Sequence, residues 1–188
     1  TQDYNNAKQY WTWLKSIGRF DEVRNTSNHR PEVRSGVKYH QDIPPELHQT
    51  SWCCDRAIEF INEDRSGPWL MSVNTFDPHP AYDAPTSLVT DIDPDTIPKP
   101  PFKDSDLEIQ AKLSSHVFQK KPQAPDDAQQ QRTANYYAMI ELIDQNVGRL
   151  LDELEQTNQR KNTVIIFMTE HGQLLGNPGL EKNGRAFS

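Results

Sequence analysis

Near the carboxyl end, a helical pattern of apolar residues is followed closely by a short apolar segment. This order of elements restricts the possible folds of the chain more than any other feature. Apolar residues recur at steps of three and four between residues 133 and 156, which predicts a long amphipathic helix. After a polar turn, residues 163–167 read Thr-Val-Ile-Ile-Phe. This composition is typical of a strand that is buried on both faces, as in a parallel sheet.

The amino-terminal half has a similar order of elements. The spacing of aromatic and apolar residues predicts a helix over 4–17 that ends at Gly18, and a second helix over 46–62. Residues 20–45 are polar and aperiodic, so we predict a loop there. Gly67-Pro68 ends the second helix, and 69–76 has the character of a strand. Helices alternating with strands predict an α/β fold, with a mostly parallel sheet flanked by helices.

A proline-rich segment, 80–127, lies between the two predicted helix and strand pairs. Several of the 14 prolines of the chain fall here, and they restrict most of the segment to extended or turn conformations. A short helix is predicted near 107–118. The remainder is expected to be a long loop over the domain surface, and loops of this length often bind ligands.

Charge and cysteine usage exclude several classes of function. The formal charge of −7 argues against nucleic acid or an anionic membrane as the main partner. No apolar stretch approaches the roughly 20 residues needed to span a bilayer. Cys53 and Cys54 are adjacent and form neither a disulfide framework nor a zinc pattern. We expect them to pack on a helix against the core, and we weigh this above a redox or nucleophilic role.

Polar side chains follow both predicted strands. Glu170 and His171 come after the second strand, and Asp77 and His79 come after the first. The carboxyl ends of parallel strands line the crevice where such sheets bind ligands, so all four side chains are expected to face one site. An oxygen and an imidazole nitrogen suit a divalent metal, while His79 and Lys182 could stabilise an anion. The alternatives are a surface loop at Glu170-His171, an Asx-type turn at Asp77 and a solvated Lys182.

Four blocks of sequence, taken together, resemble the sulfatase family of the alkaline-phosphatase superfamily. The helix at 136–151 and the segment 162–172 are similar to the family's helix and strand before a Ser-Asp-His-Gly or Ser-Asp-Asn-Gly turn, which binds calcium or a related ion. Residues 52–61 resemble the helix before a central strand. Residues 76–80, Phe-Asp-Pro-His-Pro, and 175–182, Leu-Gly-Asn-Pro-Gly-Leu-Glu-Lys, resemble the loops that supply a histidine and a lysine to the sulfate group.

The resemblance implies an alkaline-phosphatase-like fold in which residues 1–188 form part of a catalytic domain. It implies that Glu170 and His171 are metal ligands, for Ca²⁺ or alternatively Mg²⁺ or Mn²⁺, and that His79 and Lys182 are catalytic, substrate-binding contacts to the sulfate or its leaving oxygen. Glu170 stands where the family usually has aspartate.

Two parts of the family's active site are missing from this sequence. The Cys/Ser-X-Pro-Ser-Arg motif, which is the source of the formylglycine nucleophile, does not occur, and neither does the amino-terminal Asp-Asp pair of the metal site. The resemblance therefore implies an incomplete domain, and we expect the nucleophile outside this chain. By itself, the chain is expected to be inactive.

The function implied is hydrolysis of sulfate esters on a small sulfated substrate. Two alternatives stay open: a phosphonate monoester or phosphodiester hydrolase of the same superfamily, and a catalytically inactive binding module. A signal upstream of Thr1 would place the protein in the periplasm or outside the cell, and the absence of a signal would place it in the cytoplasm.

Overall fold

The computed structural model describes residues 3–28, 43–79, 82–113 and 128–175, which form helices and loops. The α-helices in these ranges are α1 Asp3–Ser16, α2 Phe20–Asn28, α3 Gln49–Asn62, α4 Thr86–Val89, α5 Asp104–Leu113 and α6 Gln129–Gln156. Short 3-10 helices cover Pro45–Leu47, Pro94–Thr96 and Arg160–Asn162. None of the helices described is both long enough and apolar enough to cross a membrane.

The chain divides into two compact units, which include residues from separate parts of the sequence. Unit 1 contains Thr1–Ile92 and Asn135–Thr163. Unit 2 contains Asp93–Ala134 and Val164–Ser188.

Helix α1 confirms the first predicted helix and leads into a small aromatic core. Gly18 follows it with a φ of 72°, a left-handed conformation that glycine adopts at low cost and that commonly ends a helix. The buried Tyr10 hydroxyl donates a hydrogen bond of 2.6 Å to the carbonyl oxygen of Leu47. The buried residues of this core are Tyr10, Leu14, Val23, Ile43, Leu47 and Trp52.

The prediction of a loop over 20–45 is wrong at its start, because α2 occupies Phe20–Asn28. Asp21 and Glu22 lie in its first turn, where the helix dipole favours acidic side chains. The guanidinium of Arg19 forms an ion pair with Glu22, and Val23 is buried in the aromatic core. Among residues 20–24 only Val23 is buried, which is too weak a pattern to be recognised in sequence. The remainder of the predicted loop, 29–42, lies outside the described residues.

Helix α3 confirms the second predicted helix, but it begins three residues later than expected. Pro45–Leu47 form a 3-10 turn, and His48 then adopts an extended backbone conformation with φ −65° and ψ 147°. The His48 side chain caps α3 by accepting a hydrogen bond from the Thr50 backbone amide, at 3.3 Å from Nδ1.

Helix α6 confirms the long amphipathic helix and is joined to α3 by side-chain hydrogen bonds. The buried Asn146 amide donates to the hydroxyl of Ser51 at 3.1 Å. Near the other end of α3, the Asn62 amide donates to the Glu153 carboxylate at 2.8 Å. The two helices are thus linked at two points, which are about three turns apart on α3 and about two turns apart on α6. The apolar face of α6 supplies fully buried side chains, among them Ala138, Met139 and Leu142.

The parallel sheet is not confirmed. Residues 69–76 and 163–167, where strands were predicted, have no regular secondary structure. Several of their apolar side chains are exposed, such as Leu70 at 95% and Val164 at 88%, while Trp69, Met71 and Val73 are half-buried. A strand requires backbone hydrogen bonds to a neighbouring strand, and the described residues supply none. An apolar sequence therefore indicates that a segment tends to be buried in a sheet, but the sheet forms only where a neighbouring strand is present.

The proline-rich segment contains more helix than its sequence indicates. Within 80–127, α4, the 3-10 turn Pro94–Thr96 and α5 are present, and α5, Asp104–Leu113, begins three residues before the helix predicted near 107–118. Asp93 caps the 3-10 turn by accepting a hydrogen bond from the Asp95 amide. Residues 80, 81 and 114–127 lie outside the described part of the chain, so the long loop over the domain surface stays a prediction.

The two cysteines lie on α3 as expected, and both are free thiols. Cys54 is buried, and its thiol contacts the carbonyl oxygen of Asn146 on α6, with a sulfur to oxygen distance of 3.3 Å. Burial raises the pKa of Cys54 to about 11 and also raises the pKa of Cys53. A protonated, buried thiol is a poor nucleophile, which favours the packing role.

Alkylation should distinguish this packing role from a reactive one. In a Cys53→Ser variant, the remaining Cys54 thiol should react slowly with iodoacetamide at pH 8, because only about one molecule in a thousand carries the thiolate. The rate should rise with pH until the pKa of about 11. The same variant in denaturant is the control and should react with the pKa of an ordinary thiol. Rapid alkylation of the folded variant at pH 8 would contradict the assignment.

Candidate functional site

The turn at Glu170-His171 exposes both side chains that were predicted to bind metal. His171 Nδ1 lies 2.9 Å from the carbonyl oxygen of Gly172. A carbonyl oxygen can only accept, so Nδ1 is the donor of this hydrogen bond, and Nε2 is the ring nitrogen whose lone pair a metal could use. The Thr169 hydroxyl also donates to the carbonyl oxygen of His171, at 3.0 Å. The hydrogen bond from Nδ1 orients the imidazole, as such bonds do for metal-bound histidines.

Asp77 and His79 have opposite environments, although only one residue separates them. Asp77 is buried and its Oδ2 accepts a hydrogen bond from the Thr50 hydroxyl on α3. His79 is exposed. Its ring centroid lies 4.7 Å from that of Phe76, and its backbone amide donates to the Phe76 carbonyl oxygen at 3.1 Å. The structure therefore directs the carboxylate into unit 1 and the imidazole to the surface.

The four side chains expected to face one site lie in two units of the structure. Asp77 and His79 lie in unit 1, whereas Glu170 and His171 lie in unit 2. Lys182 lies outside the described residues. The expectation that these groups face one site therefore stays a prediction.

The sequence analysis missed a second cluster, whose side chains are of types that can bind metal ions. His48, Asp77 and Asp83 each place one ligand atom within 4.8 Å of the other two. His48 and Asp77 are buried, and Asp83 is half-buried. His48 Nδ1 and Asp77 Oδ2 are 3.4 Å apart.

Hydrogen bonds at α3 and α6 position residues of this cluster. His48 is held at the start of α3 by its capping bond to the Thr50 amide. Asp83 follows the buried Tyr82, whose carbonyl oxygen accepts a bond from the Asn135 side chain of α6 at 3.4 Å. Burial and the nearby Asp83 carboxylate both raise the pKa of Tyr10, burial contributing more. The charge of Asp83 thus acts on the aromatic core.

The sequence contains one weak indication of this cluster, at the position of His48. His48 stands directly before the apolar periodicity of α3, where serine, threonine, asparagine or aspartate is the usual cap. Nothing in the sequence connects that position with Asp77, because the contact between Thr50 and Asp77 spans 27 residues. The cluster is created by tertiary packing.

Comparison with known proteins identifies the family. The model of the family described as Sulfatase matches residues 4–187. The chain is 26% identical over 140 residues to an arylsulfatase of Clostridium perfringens, which covers 73% of this chain and 29% of that protein. It is 31% identical over 155 residues to a choline-sulfatase of Rhizobium meliloti, which covers 79% of this chain and 29% of that protein. The chain thus spans about three tenths of the length of these relatives.

The fold is also similar to that of a larger solved structure, the phosphonate monoester hydrolase of Agrobacterium radiobacter. The TM-score is 0.76 at 21% sequence identity, over 96% of this chain and 39% of that chain. At this identity the likeness concerns the fold, which is of the alkaline-phosphatase-like hydrolase type. The family match over nearly the whole sequence gives the more specific result: this chain belongs to the sulfatase family.

Proposed function

We propose that this protein hydrolyses sulfate esters of a small substrate, with Glu170 and His171 as metal ligands and with His79 and Lys182 as contacts to the sulfate group. The observation that carries the proposal is the match to the sulfatase family over residues 4–187. The four ordered sequence blocks support it, because they include each of these residues.

The donor set at Glu170-His171 fits a divalent ion. The carboxylate offers hard oxygen, and the bond from His171 Nδ1 to Gly172 leaves the ring lone pair on Nε2. Two ligands are fewer than the roughly six to eight that Ca²⁺ takes, so other groups would have to complete the site. A bound ion would withdraw charge from a sulfate oxygen and thereby stabilise the transition state.

His79 and Lys182 would stabilise negative charge on the sulfate and on the leaving oxygen. The His79 imidazole is exposed and packs against Phe76, which limits the orientations of the ring. An imidazole N–H and a lysine ammonium both donate hydrogen bonds to anionic oxygens, and such bonds strengthen as charge develops. The nucleophile is expected from formylglycine outside these 188 residues.

Hydrolysis of a phosphonate monoester or phosphodiester is the second candidate. The fold likeness to a phosphonate monoester hydrolase, with a TM-score of 0.76, favours it. Both reactions place charge on non-bridging oxygens around a tetrahedral centre, so the same cations would serve either one.

Turnover of paired substrates by the full-length, metal-loaded protein tests the proposal. An aryl sulfate and an aryl phosphonate monoester with the same leaving group should be compared by kcat/KM, and we expect the sulfate to be the better substrate. A preference for the phosphonate would favour the second candidate. If the protein hydrolyses neither compound, and none of a broader panel of sulfate esters, the result would favour an inactive binding module.

Substitution of the two sulfate contacts should lower turnover without unfolding the protein. His79→Ala and Lys182→Ala should each reduce kcat for the aryl sulfate by about 10²–10³-fold, the usual effect of removing one donor to a developing oxyanion. Lys161→Ala changes an exposed lysine of unit 1 and serves as the control. Full activity in either site variant would show that the substituted residue is not a contact to the sulfate.

Substitution of Glu170 should weaken calcium binding. Glu170→Ala should raise the Kd for Ca²⁺ in the full-length protein by at least about tenfold, measured by calorimetry, because an oxygen ligand is lost. Glu170→Asp keeps the carboxylate that the family usually has and should retain binding. Glu155→Ala alters an exposed carboxylate on α6 and is the matched control. An unchanged Kd in Glu170→Ala would rule out Glu170 as a ligand.

A further inference from the structure

The segment that leads to His79 is tied to one face of α3 at two points. In the first turn of α3, the Thr50 hydroxyl donates a hydrogen bond to Oδ2 of Asp77. One turn later, the Cys53 thiol lies 3.7 Å from the carbonyl oxygen of Asn74 and acts as a weak donor. Side chains three residues apart on a helix are neighbours, so the two donors lie on the same face. All of these residues belong to unit 1.

The bond between Thr50 and Asp77 is buried. Thr50 is 2% exposed, and the side chain of Asp77 is 5% exposed. His48 Nδ1 lies 3.4 Å from the same carboxylate oxygen, but Nδ1 accepts the hydrogen of the Thr50 amide. In this geometry, the hydrogen bond to the carboxylate therefore comes from the Thr50 hydroxyl. Loss of this donor would be costly, because little water reaches the buried carboxylate to replace it.

A movement of Asp77 would displace His79, because both residues belong to one four-residue turn. The His79 amide donates to the Phe76 carbonyl oxygen at 3.1 Å, which closes the turn. The Thr75 hydroxyl donates to the carbonyl oxygen of Asp77 at 3.0 Å, so the backbone beside the buried carboxylate is also held. The His79 imidazole packs against the Phe76 ring, with centroids 4.7 Å apart. The position of the imidazole thus depends on the anchoring of Asp77.

The donor itself lies on a well-supported helix. Ser51, the residue after Thr50, accepts a hydrogen bond from the Asn146 side chain of α6 at 3.1 Å. The Cys54 thiol also contacts the carbonyl oxygen of Asn146, with a sulfur to oxygen distance of 3.3 Å. A chain of contacts therefore runs from α6 through the start of α3 to Asp77. Residues that hold a site in place work best when they are themselves packed in this way.

We propose that Thr50 is a positioning residue for His79, and that it acts through the Asp77 carboxylate. The effect on turnover rests on the proposed function, in which His79 contacts the sulfate, whereas the placement of His79 can be measured without any substrate. A catalytic group that is misplaced by about 1 Å can cost about 10²-fold in rate. A single buried hydroxyl that fixes the turn is therefore important to the reaction, although it touches neither the substrate nor the reacting atoms.

Hydrogen exchange of the His79 amide tests the placement. In the full-length protein, Thr50→Val removes the hydroxyl but keeps the shape of the side chain and the backbone amide that bonds to His48. We expect the His79 amide to exchange at least about tenfold faster, because the turn opens more often. Mass spectrometry of peptides that cover 75–79 measures this rate. Thr50→Ala, a second variant without the hydroxyl, should give the same result.

Two further variants serve as controls for the exchange experiment. Thr50→Ser retains a hydroxyl donor, so its exchange should match that of the unmodified protein. Thr133→Val removes another buried hydroxyl, which donates to the backbone of its own helix, α6. It should leave exchange at His79 unchanged. Peptides of α1 should also be unaffected in every variant, because the expected opening is confined to the turn.

Turnover of an aryl sulfate by the full-length, metal-loaded protein tests the consequence for the reaction. Thr50→Val should lower kcat by at least about tenfold, and Thr50→Ser should retain it. In a His79→Ala background, Thr50→Val should cause no further loss, because the side chain that it positions is absent. A general loss of stability would instead lower kcat by the same factor in both backgrounds.

Two results would overturn the inference. The first is unchanged exchange of the His79 amide in Thr50→Val and Thr50→Ala. The second is an equal loss of kcat from Thr50→Val with and without the His79 side chain. Faster exchange in a protein that does not hydrolyse aryl sulfates even when unmodified would support the anchoring of His79 and contradict the proposed function instead.

Discussion

The attachment of α3 to α6 is the constraint on which the rest of unit 1 depends. Asn146 is buried, so its amide must find partners within the protein, and Ser51 supplies one at 3.1 Å. A buried hydrogen bond contributes about 1 kcal/mol net, whereas a buried polar group left unpaired costs about 1–3 kcal/mol. A shift of α3 along α6 would break this bond and the contact between Asn62 and Glu153 together. The polar contacts therefore determine the register, while the apolar faces supply most of the burial.

The register of α3 determines which groups meet at its amino end. Trp52 packs edge-on against Tyr10, with ring centroids 5.6 Å apart, which ties α3 to α1. One turn earlier, His48 and Thr50 face Asp77. The loop that carries the predicted sulfate contact, His79, is thus anchored through a buried carboxylate beside it. A site residue on a loop is better positioned when its supporting neighbours are packed in this way.

Local patterns account for what could be predicted from sequence. Helices α1, α3 and α6 were expected because helical hydrogen bonds join residues four apart, and the apolar period is visible within one segment. Helix α2 was missed because the ion pair of Glu22 with the preceding Arg19 and the burial of Val23 leave no periodic pattern in the sequence. The predicted strands are not confirmed, for a different reason. Val164 and its neighbours have strand composition, but a strand also needs a partner.

The helices of regular period can be predicted from the sequence alone. Its ordered motifs also identify the sulfatase family and the candidate residues Glu170, His171, His79 and Lys182. These properties depend on residue types at short spacing. Only the tertiary structure decided that Asp77 is buried while His79 is exposed, and that Asp77 meets His48 and Asp83. The physical reason is that burial and the meeting of distant charges depend on how α1, α3, α6 and the 77–83 loop pack together. No local pattern encodes that packing.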